Sequence, residues 1–382
     1  MKILEICPYS AGICGVWTRA KQESLEFKKQ GDEIMVFSSN LEKGTDKIIA
    51  SEENFKGIKI KRFASKKIGG ESFMLWLNNK AVKKALEYSP DIIICHNYRH
   101  LHTTKALKIR DALIKQDKKC KIFLVTHAPF VEGNITRTKF QTTVVNFYDR
   151  FIGPKTLNKF DKILVISHWE IPHLLNAGAK EDKIVYIPNG IPEELFNVKN
   201  SKKEENKVLF LGRIAPKKMI ETIIRAIPFV KDKTVKFEIV GPPEQEYKNK
   251  LNQLVKVMNV SNRIVFSPPV YDLQEKINKL DSCKIYVLAS RVEGMPQGLI
   301  EAMARGKIII GSNSIAIRDL IQDKKNGYLF EFNNPQDLAK KIDLALVDNK
   351  TNKDIRKEAK KFVEIFSWPS IIKSYNSLFK QK

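Results

Sequence analysis

Long apolar runs are missing from this chain: nothing in its 382 residues approaches the roughly 18 uninterrupted apolar positions of a membrane span. The opening stretch, MKILEICPYSAG, carries charges where a signal peptide would have its apolar core, so a cytoplasmic location is expected. Cysteine is scarce. The five residues (Cys7, Cys14, Cys95, Cys120, Cys283) are an odd set with no Cys-x-x-Cys pair, which argues against a disulfide framework or a common zinc module and for reduced, mostly buried thiols. There is no Asp-x-Asp metal–diphosphate motif, and the Gly-x-Gly-x-x-Gly dinucleotide fingerprint is absent.

Acidic charge is also in deficit, with 43 Asp and Glu against 67 Lys and Arg, a formal net charge of +24. Such a surplus attracts polyanions, anionic lipid surfaces or phosphorylated small molecules, and does not choose among them. In the first half nearly all of it lies between Lys56 and Lys121, where seventeen basic residues face five acidic ones. Lysine as solvated surface filler is the plain alternative.

What is present is an alternation. The length exceeds what one hydrophobic core usually serves, so two domains are expected. KILEICPY reads as a buried strand, followed by a turn holding Gly12 and Gly15, a helix closed by Gly31, and the strand EIMVFSS, together a βαβ unit. IKIKRFA, a helix to about Tyr88, DIIIC, a basic helix, KIFLVTHAP, KILVISH and KIVYIPNG continue the pattern. The polar, aperiodic NVKNSKKEENK reads as a linker over 197–207. A second series follows: VLFLG, KFEIVG, RIVFSP, KIYVLAS, KIIIGS and GYLFEF, separated by amphipathic helices. Short all-apolar strands between helices predict two doubly wound parallel-sheet α/β domains, with a site at the strand carboxyl ends facing the cleft between them. The expected division is 1–196, the linker, 208–360, and a terminal segment 361–382.

The densest chemistry lies in RVEGMPQGLIEAMARG, from Arg291 to Gly306. A strand ends at Ser290, Pro296 suits a first helical position, and the N–H groups of Gln297, Gly298 and Leu299 would then be unpaired, an anion site. Glu301, in the first turns of that helix, can reach a neighbour of the anion such as a ribose diol, and Glu293 on the loop can hold sugar hydroxyls. Simple complementation of the helix dipole is the plain reading of Glu301. In GRIAPKK, Gly212 at a strand end allows a ligand to approach closely, and the two cations Arg213 and Lys218 can neutralise a diphosphate leaving group. A solvent-exposed basic loop is the alternative there. Cys95, His96, His100 and His102 cluster without any standard ligand spacing, so no metal site is expected and His96 is placed on the acceptor side.

These motifs resemble the retaining glycosyltransferases of the GT-B fold, family 4, the group 1 glycosyltransferases. Glu293 and Glu301 fit the family's E-x7-E, and Arg213 and Lys218 fit its GR-x4-K clamp, with Met219 where the family usually has glycine. Gly241, Gly306 and Asn326-Gly327 fit further landmarks. Gly12 and Gly15 fall in its glycine-rich first loop, Cys14 standing where a second adjacent glycine is common. ISHWEIPHLLNAG, YIPNGIP and the terminal FSWPSIIKSYNSLF resemble its remaining segments. The resemblance implies two Rossmann-like domains facing across a cleft, the first on the acceptor side, the second binding a nucleotide-sugar donor, and a last helix crossing back to the first. It implies that His127 hydrogen-bonds the donor sugar near the reacting carbon, that Gly15 and Gly241 belong to the donor site, and that a front-face, retaining transfer occurs in which the departing phosphate oxygen helps deprotonate the acceptor.

The expectation is therefore a metal-independent hexosyltransferase with a UDP- or GDP-sugar as substrate, no cofactor, and a glycan or lipid-linked acceptor. The basic segment, with Phe73-Met74-Leu75-Trp76-Leu77 ahead of Lys80, Lys83 and Lys84, adds an expected contact with an anionic membrane surface, against a plain core face for Trp76. The competing readings are a nucleotide-sugar hydrolase or epimerase, a basic nucleic-acid-binding protein, and a dehydrogenase using NAD. The nucleic-acid reading would leave these glycines and glutamates without a role, so no nucleic-acid partner is expected.

Overall fold

The computed structural model describes residues 1–12, 14–67, 74–76, 79–130, 139–197 and 203–381, without the side chains of 67, 74–76 and 139–141. The chain forms two compact units, one built on Met1–Phe130, the described residues up to Gly190, and Trp368 onward, the other on Ile191–Ser367.

The first unit holds β1 (Lys2–Ile6), β2 (Glu33–Ser39), β3 (Glu52–Phe55), β4 (Ile58–Phe63), β5 (Ser65–Lys67), β6 (Met74–Trp76), β7 (Ile92–His96), β8 (Lys121–Val125), β9 (Lys162–Val165) and β10 (Ile184–Tyr186). Eight of these make a sheet in the order β10-β9-β8-β7-β1-β2-β4-β3, parallel throughout except for the antiparallel edge pair β3 and β4. The second unit holds β11 (Glu205–Leu211), β12 (Lys236–Val240), β13 (Ile264–Ser267), β14 (Cys283–Leu288), β15 (Ile308–Ser312) and β16 (Tyr328–Phe330), all parallel, in the order β13-β12-β11-β14-β15-β16. Each sheet grows outward from its first strand on one side and then on the other. Strand order therefore reverses between β1 and β7 and between β11 and β14, the switch points beside which α/β sheets bind ligands.

The central strands are apolar because both of their faces are covered: Ile3, Leu4, Ile93, Ile94, Phe123 and Leu124 in one sheet, and Leu209, Phe237, Ile285 and Ile309 in the other, are all buried. Edge strand β3, EENF, is polar and mostly exposed, and the sequence pattern gave no sign of it. Asn197 closes a short helix, Glu194–Asn197, and β11 already runs from Glu205, so only part of the polar segment expected as a linker lies between elements.

The second unit hands the chain back at an Ile191–Ser367 bridge. The helix Trp368–Lys380 buries Ile371, Ile372, Tyr375, Leu378 and Phe379, spaced to form one face. That face packs on the helix Gly15–Lys29 and on β8, with Phe27 and Tyr375 ring centroids 5.3 Å apart and Phe123 and Phe379 5.4 Å apart. Gly190 is required beside it, because a Cβ there would lie 2.5 Å from the Trp368 ring. Among the described residues no helix is long and apolar enough to cross a membrane.

Candidate active site

In the second unit the sequence motifs converge on the carboxyl ends of β11, β12 and β14. Gly212 follows β11, and its N–H donates to the Val240 carbonyl at 2.9 Å. A side chain at Gly241 would put its Cβ 2.0 Å from the Gly212 carbonyl oxygen, so this glycine serves the close approach of two strand ends. Gly298 has a similar reason: its Cβ would lie 2.5 Å from the Tyr286 hydroxyl, which donates to the Leu211 carbonyl at 3.1 Å. Gly212 is favoured by its own backbone, at φ 158°, rather than by crowding. Its Cβ would only touch the Phe210 ring at 3.5 Å, which leaves its bareness available to a ligand.

The helix runs from Gln297 to Ala304, with Pro296 in the N-cap position rather than first in the helix. The expected anion cradle is smaller than three N–H groups. Leu299 donates to the Pro296 carbonyl at 3.1 Å, because the first turn tightens around the proline, while among the described residues the N–H groups of Gln297 and Gly298 have no acceptor. Glu301 is buried and accepts from Lys276 Nζ at 2.9 Å; Glu293 accepts from Lys218 Nζ at 2.5 Å. Lys218 ends the short turn Pro216–Lys218, and Met219 follows at φ 51°, ψ 43°. This left-handed conformation explains why a glycine suits that position. Arg213 is largely exposed, 4.0 Å from Glu244. Lys217 is half-buried, and burial, then Arg213 and Lys218, hold its pKa below the usual lysine value. Lys276 and Lys217 escaped the sequence reading: Lys276 stands on an ordinary amphipathic helix, and Lys217 is one lysine among many.

In the first unit the glycine that the loop after β1 requires is Gly12, at φ 80°, where a Cβ would lie 2.7 Å from the Lys43 carbonyl; a Cβ on Gly15 would meet nothing within 4 Å. Gly15 opens the helix Gly15–Lys29 with its Cα side free. His127 follows β8 by two residues at φ 57°, with Ala128 at φ 53°. Glu170 braces this turn, taking the Thr126 hydroxyl at 2.6 Å, the Ala128 N–H at 2.9 Å, and the N–H groups of Ile166 and Ser167 at 2.9 and 3.1 Å. Burial pushes the Glu170 carboxyl up to about 7 against those donors.

His96 does not line an acceptor surface. Its ring is completely buried at the end of β7, with Nδ1 2.8 Å from His127 Nε2 and Nε2 2.7 Å from Glu5 Oε2. Burial lowers its pKa to about 4. Beside it Arg19 Nε and the Tyr375 hydroxyl both donate to Glu23 Oε1 at 2.7 Å. The His102 ring, which Nε2 ties to the His96 carbonyl at 2.6 Å, is likewise buried, as is Cys95, while His100 is half-buried. Glu5 was legible only as one acidic residue in an apolar strand, and nothing in sequence spacing joins it to His96. The stretch 73–77 lies partly outside the described residues and its side chains wholly so. Lys80 and Lys83 are exposed and Lys84 pairs with Glu87 at 2.7 Å.

Known proteins share both halves. The family Glycosyltransferase Family 4 matches residues 13–195, and Glycosyl transferases group 1 matches 192–362. An uncharacterized glycosyltransferase of Methanocaldococcus jannaschii is 27% identical over 275 residues, 69% of each chain. The poly(ribitol-phosphate) alpha-N-acetylglucosaminyltransferase of Staphylococcus aureus is 30% identical over 231 residues, 58% of this chain and 44% of that one. The N,N'-diacetylbacillosaminyl-diphospho-undecaprenol alpha-1,3-N-acetylgalactosaminyltransferase of Campylobacter jejuni is 26% identical over 234 residues, 58% and 60%. These alignments thus span from 44% to 69% of the relatives' length. Among solved structures, a glycosyltransferase of Rickettsia africae superposes with TM-score 0.77 at 20% identity over 99% of this chain and 97% of that one. HepE of Anabaena in complex with UDP-glucose does so with TM-score 0.71 at 19% identity over 99% of each. With two family matches that run in succession from residue 13 to residue 362, on two doubly wound sheets of GT-B type, this chain belongs to the group 1 glycosyltransferases of family 4.

Proposed function

We propose that this enzyme moves a hexose from a UDP- or GDP-sugar to a glycan or lipid-linked acceptor, with retention of configuration and without a metal ion. The observation that carries the reading is the convergence at the β11 and β14 ends of two N–H groups without an acceptor, the cations Arg213, Lys217 and Lys218, and the carboxylates Glu293 and Glu301. The N–H groups of Gln297 and Gly298 take a phosphate oxygen at a helix N-terminus. Arg213 and Lys218 neutralise the charge that grows on the departing diphosphate, the place where fixed cations lower the barrier most. Glu301 accepts from the ribose hydroxyls and Glu293 from hydroxyls of the transferred sugar, each exchanging part of its present lysine contact for the ligand. His127 contacts the sugar near its reacting carbon. In the front-face step the C1–O bond to phosphate breaks, the C1–O bond to the acceptor forms on the same face, and the acceptor proton passes to the departing phosphate oxygen. Neither motif carboxylate is then needed as a nucleophile.

UDP is supported as the nucleotide by HepE, solved with UDP-glucose, and a lipid-linked acceptor by the C. jejuni relative, whose name gives a diphospho-undecaprenol substrate. Such an acceptor suits a cytoplasmic protein lying on the inner face of the cell membrane through its basic first half, where each Lys or Arg near an anionic leaflet contributes about 1 kcal/mol. A thermal-shift screen of UDP-, GDP- and ADP-sugars, followed by turnover with candidate acceptors and NMR of the anomeric proton in the product, tests the reading. Release of free sugar with no dependence on an acceptor would replace transfer by hydrolysis, and an inverted product would remove the front-face step.

A further inference from the structure

Beneath His127 lies a hydrogen-bond chain that the glycosyl-transfer chemistry does not by itself require. His127 Nε2 meets His96 Nδ1 at 2.8 Å, and His96 Nε2 meets Glu5 Oε2 at 2.7 Å. Glu5 and His96 are fully buried; His127 is half-buried, and among the described residues its Nδ1 has no hydrogen-bond partner. In such a chain each ring can donate through only one nitrogen when neutral, so the state of Glu5 decides the polarity of every link. If Glu5 is an acid, it donates to His96 Nε2, His96 Nδ1–H donates to His127 Nε2, and His127 must carry its own hydrogen on Nδ1. If the pair loses that proton, each link reverses and Nδ1 of His127 becomes a bare acceptor.

The surroundings select the first state. Glu23 Oε1 accepts from both Arg19 and Tyr375, and its Oε2, though buried without a partner of its own, shares that cation, whereas among the described residues no cation is hydrogen-bonded to Glu5. Glu5 Oε1 is buried with no donor, a position tolerable for the carbonyl oxygen of an acid and costly for a carboxylate. Burial accordingly holds the Glu5 carboxyl well above its usual value, with Arg19 opposing. The other titratable groups nearby are Cys7 just after β1, Cys14 and Glu23 around the first helix, Cys95 on β7, His100 and His102 after it, Tyr375 on the last helix, and Lys43 and Arg62 further out. Buried thiols and imidazoles are held neutral there, so Arg19 and Glu23 are the opposing charges within the cluster. Glu5, Glu23 and His96 also offer ligand atoms within 4.8 Å of one another, but a divalent cation would sit against the Arg19 guanidinium, and one proton meets the same need.

We propose that Glu5 and His96 are positioning residues that hold one buried proton between them, so that His127 presents its Nδ1 as a fixed N–H donor to an oxygen of the bound sugar. This rests on the glycosyl-transfer reading for its purpose but not for its measurement. The turn is fixed as well as the ring, since Glu170 holds the Ala128 N–H beside it. A donor locked in orientation and tautomer costs no reorganisation when the sugar arrives.

The test is 1H–15N NMR of the imidazole nitrogens in ligand-free protein with labelled histidine. Only six histidines are present, and His127→Gln assigns the signal. Wild type at neutral pH is expected to show His127 as the Nδ1–H tautomer, converting to Nε2–H as pH rises and the Glu5–His96 proton is lost. Glu5→Gln, whose amide donates to His96 at any pH, is expected to retain Nδ1–H into alkaline solution. His96→Leu is expected to lose the Nδ1–H preference and about 10–100-fold in turnover on the best donor, by analogy with other orienting partners, with the affinity for UDP unchanged. An Nε2–H tautomer in wild type at neutral pH overturns the proposal even if His96→Leu fails to fold, and so does an unaltered tautomer in a folded His96→Leu. Failure of every nucleotide sugar to turn over would instead fell the glycosyl-transfer reading while the tautomer result stood.

Discussion

Truncating Glu301 to alanine separates its two readings, because the residue now holds Lys276 and is assigned a ribose diol. A hydrogen bond to a charged group contributes about 1.5–3 kcal/mol net. The diol offers two, but both compete with the 2.9 Å contact from Lys276 already present in the free enzyme, so the loss on truncation is about 1.5–3 kcal/mol in total. That is a roughly 10- to 150-fold weaker nucleotide affinity, at tenfold per 1.4 kcal/mol. The fold pays less. Lys276 is 24% exposed and can turn to water, so its lost partner costs about 1–2 kcal/mol of stability, between the values for exposed and buried pairs. Calorimetric titration with the tightest nucleoside diphosphate and with its 2′,3′-dideoxy counterpart closes a cycle: removing the hydroxyls should weaken binding to wild type and leave the variant nearly indifferent. Equal nucleotide affinity in wild type and Glu301→Ala, together with a lower melting temperature, would refute the diol contact and leave Glu301 as an anchor for Lys276.

Arg213→Ala and Lys218→Ala are each expected to lose about 10²–10³-fold in turnover with the fold intact, measured by nucleotide release; normal specific activity with a lowered melting temperature would support a surface loop. Gly241→Ala should cost upwards of about 3 kcal/mol in denaturant titration, since the Gly212 carbonyl it strikes is backbone and cannot turn aside. Glu5→Gln should alter how stability depends on pH. An acid whose folded pKa is raised contributes stability that falls as pH rises from its unfolded value of about 4.3, whereas the lowered His96 contributes stability that rises only up to about pH 6.5. The difference in melting temperature between the variant and wild type should therefore widen in the variant's favour as pH rises above about 4.3, and a difference that stays constant with pH would mean that Glu5 is ionised in the folded protein. Activity should persist in EDTA.

The parallel architecture was readable because both sheets are made of short apolar strands between helices, a pattern dictated by burial on two faces. The donor motifs were readable because each is local: glycines and carboxylates a few residues apart at one strand end. What escaped reading is non-local. Lys276 and Glu301 stand 25 residues apart, and Lys218 and Glu293 stand 75 apart. The Glu5–His96–His127 chain is assembled by three parallel strands whose register no local spacing encodes. The Leu299 N–H was misassigned for a smaller reason: the first helical turn closed back onto Pro296.

The last helix also bears on the order in which the protein is made. Tyr375 and Phe379 cover Phe27 and Phe123, and Tyr375 adds a donor to Glu23 Oε1, so the first half of the gene encodes a unit that lacks one wall. On the ribosome the residues of the second unit emerge whole before Trp368 does. The amino-terminal unit must then wait as a sheet with an open apolar face, exposed to aggregation and to chaperones, until the helix Trp368–Lys380 has emerged and can dock. A stop codon at Trp368 would remove this helix and strand that intermediate permanently.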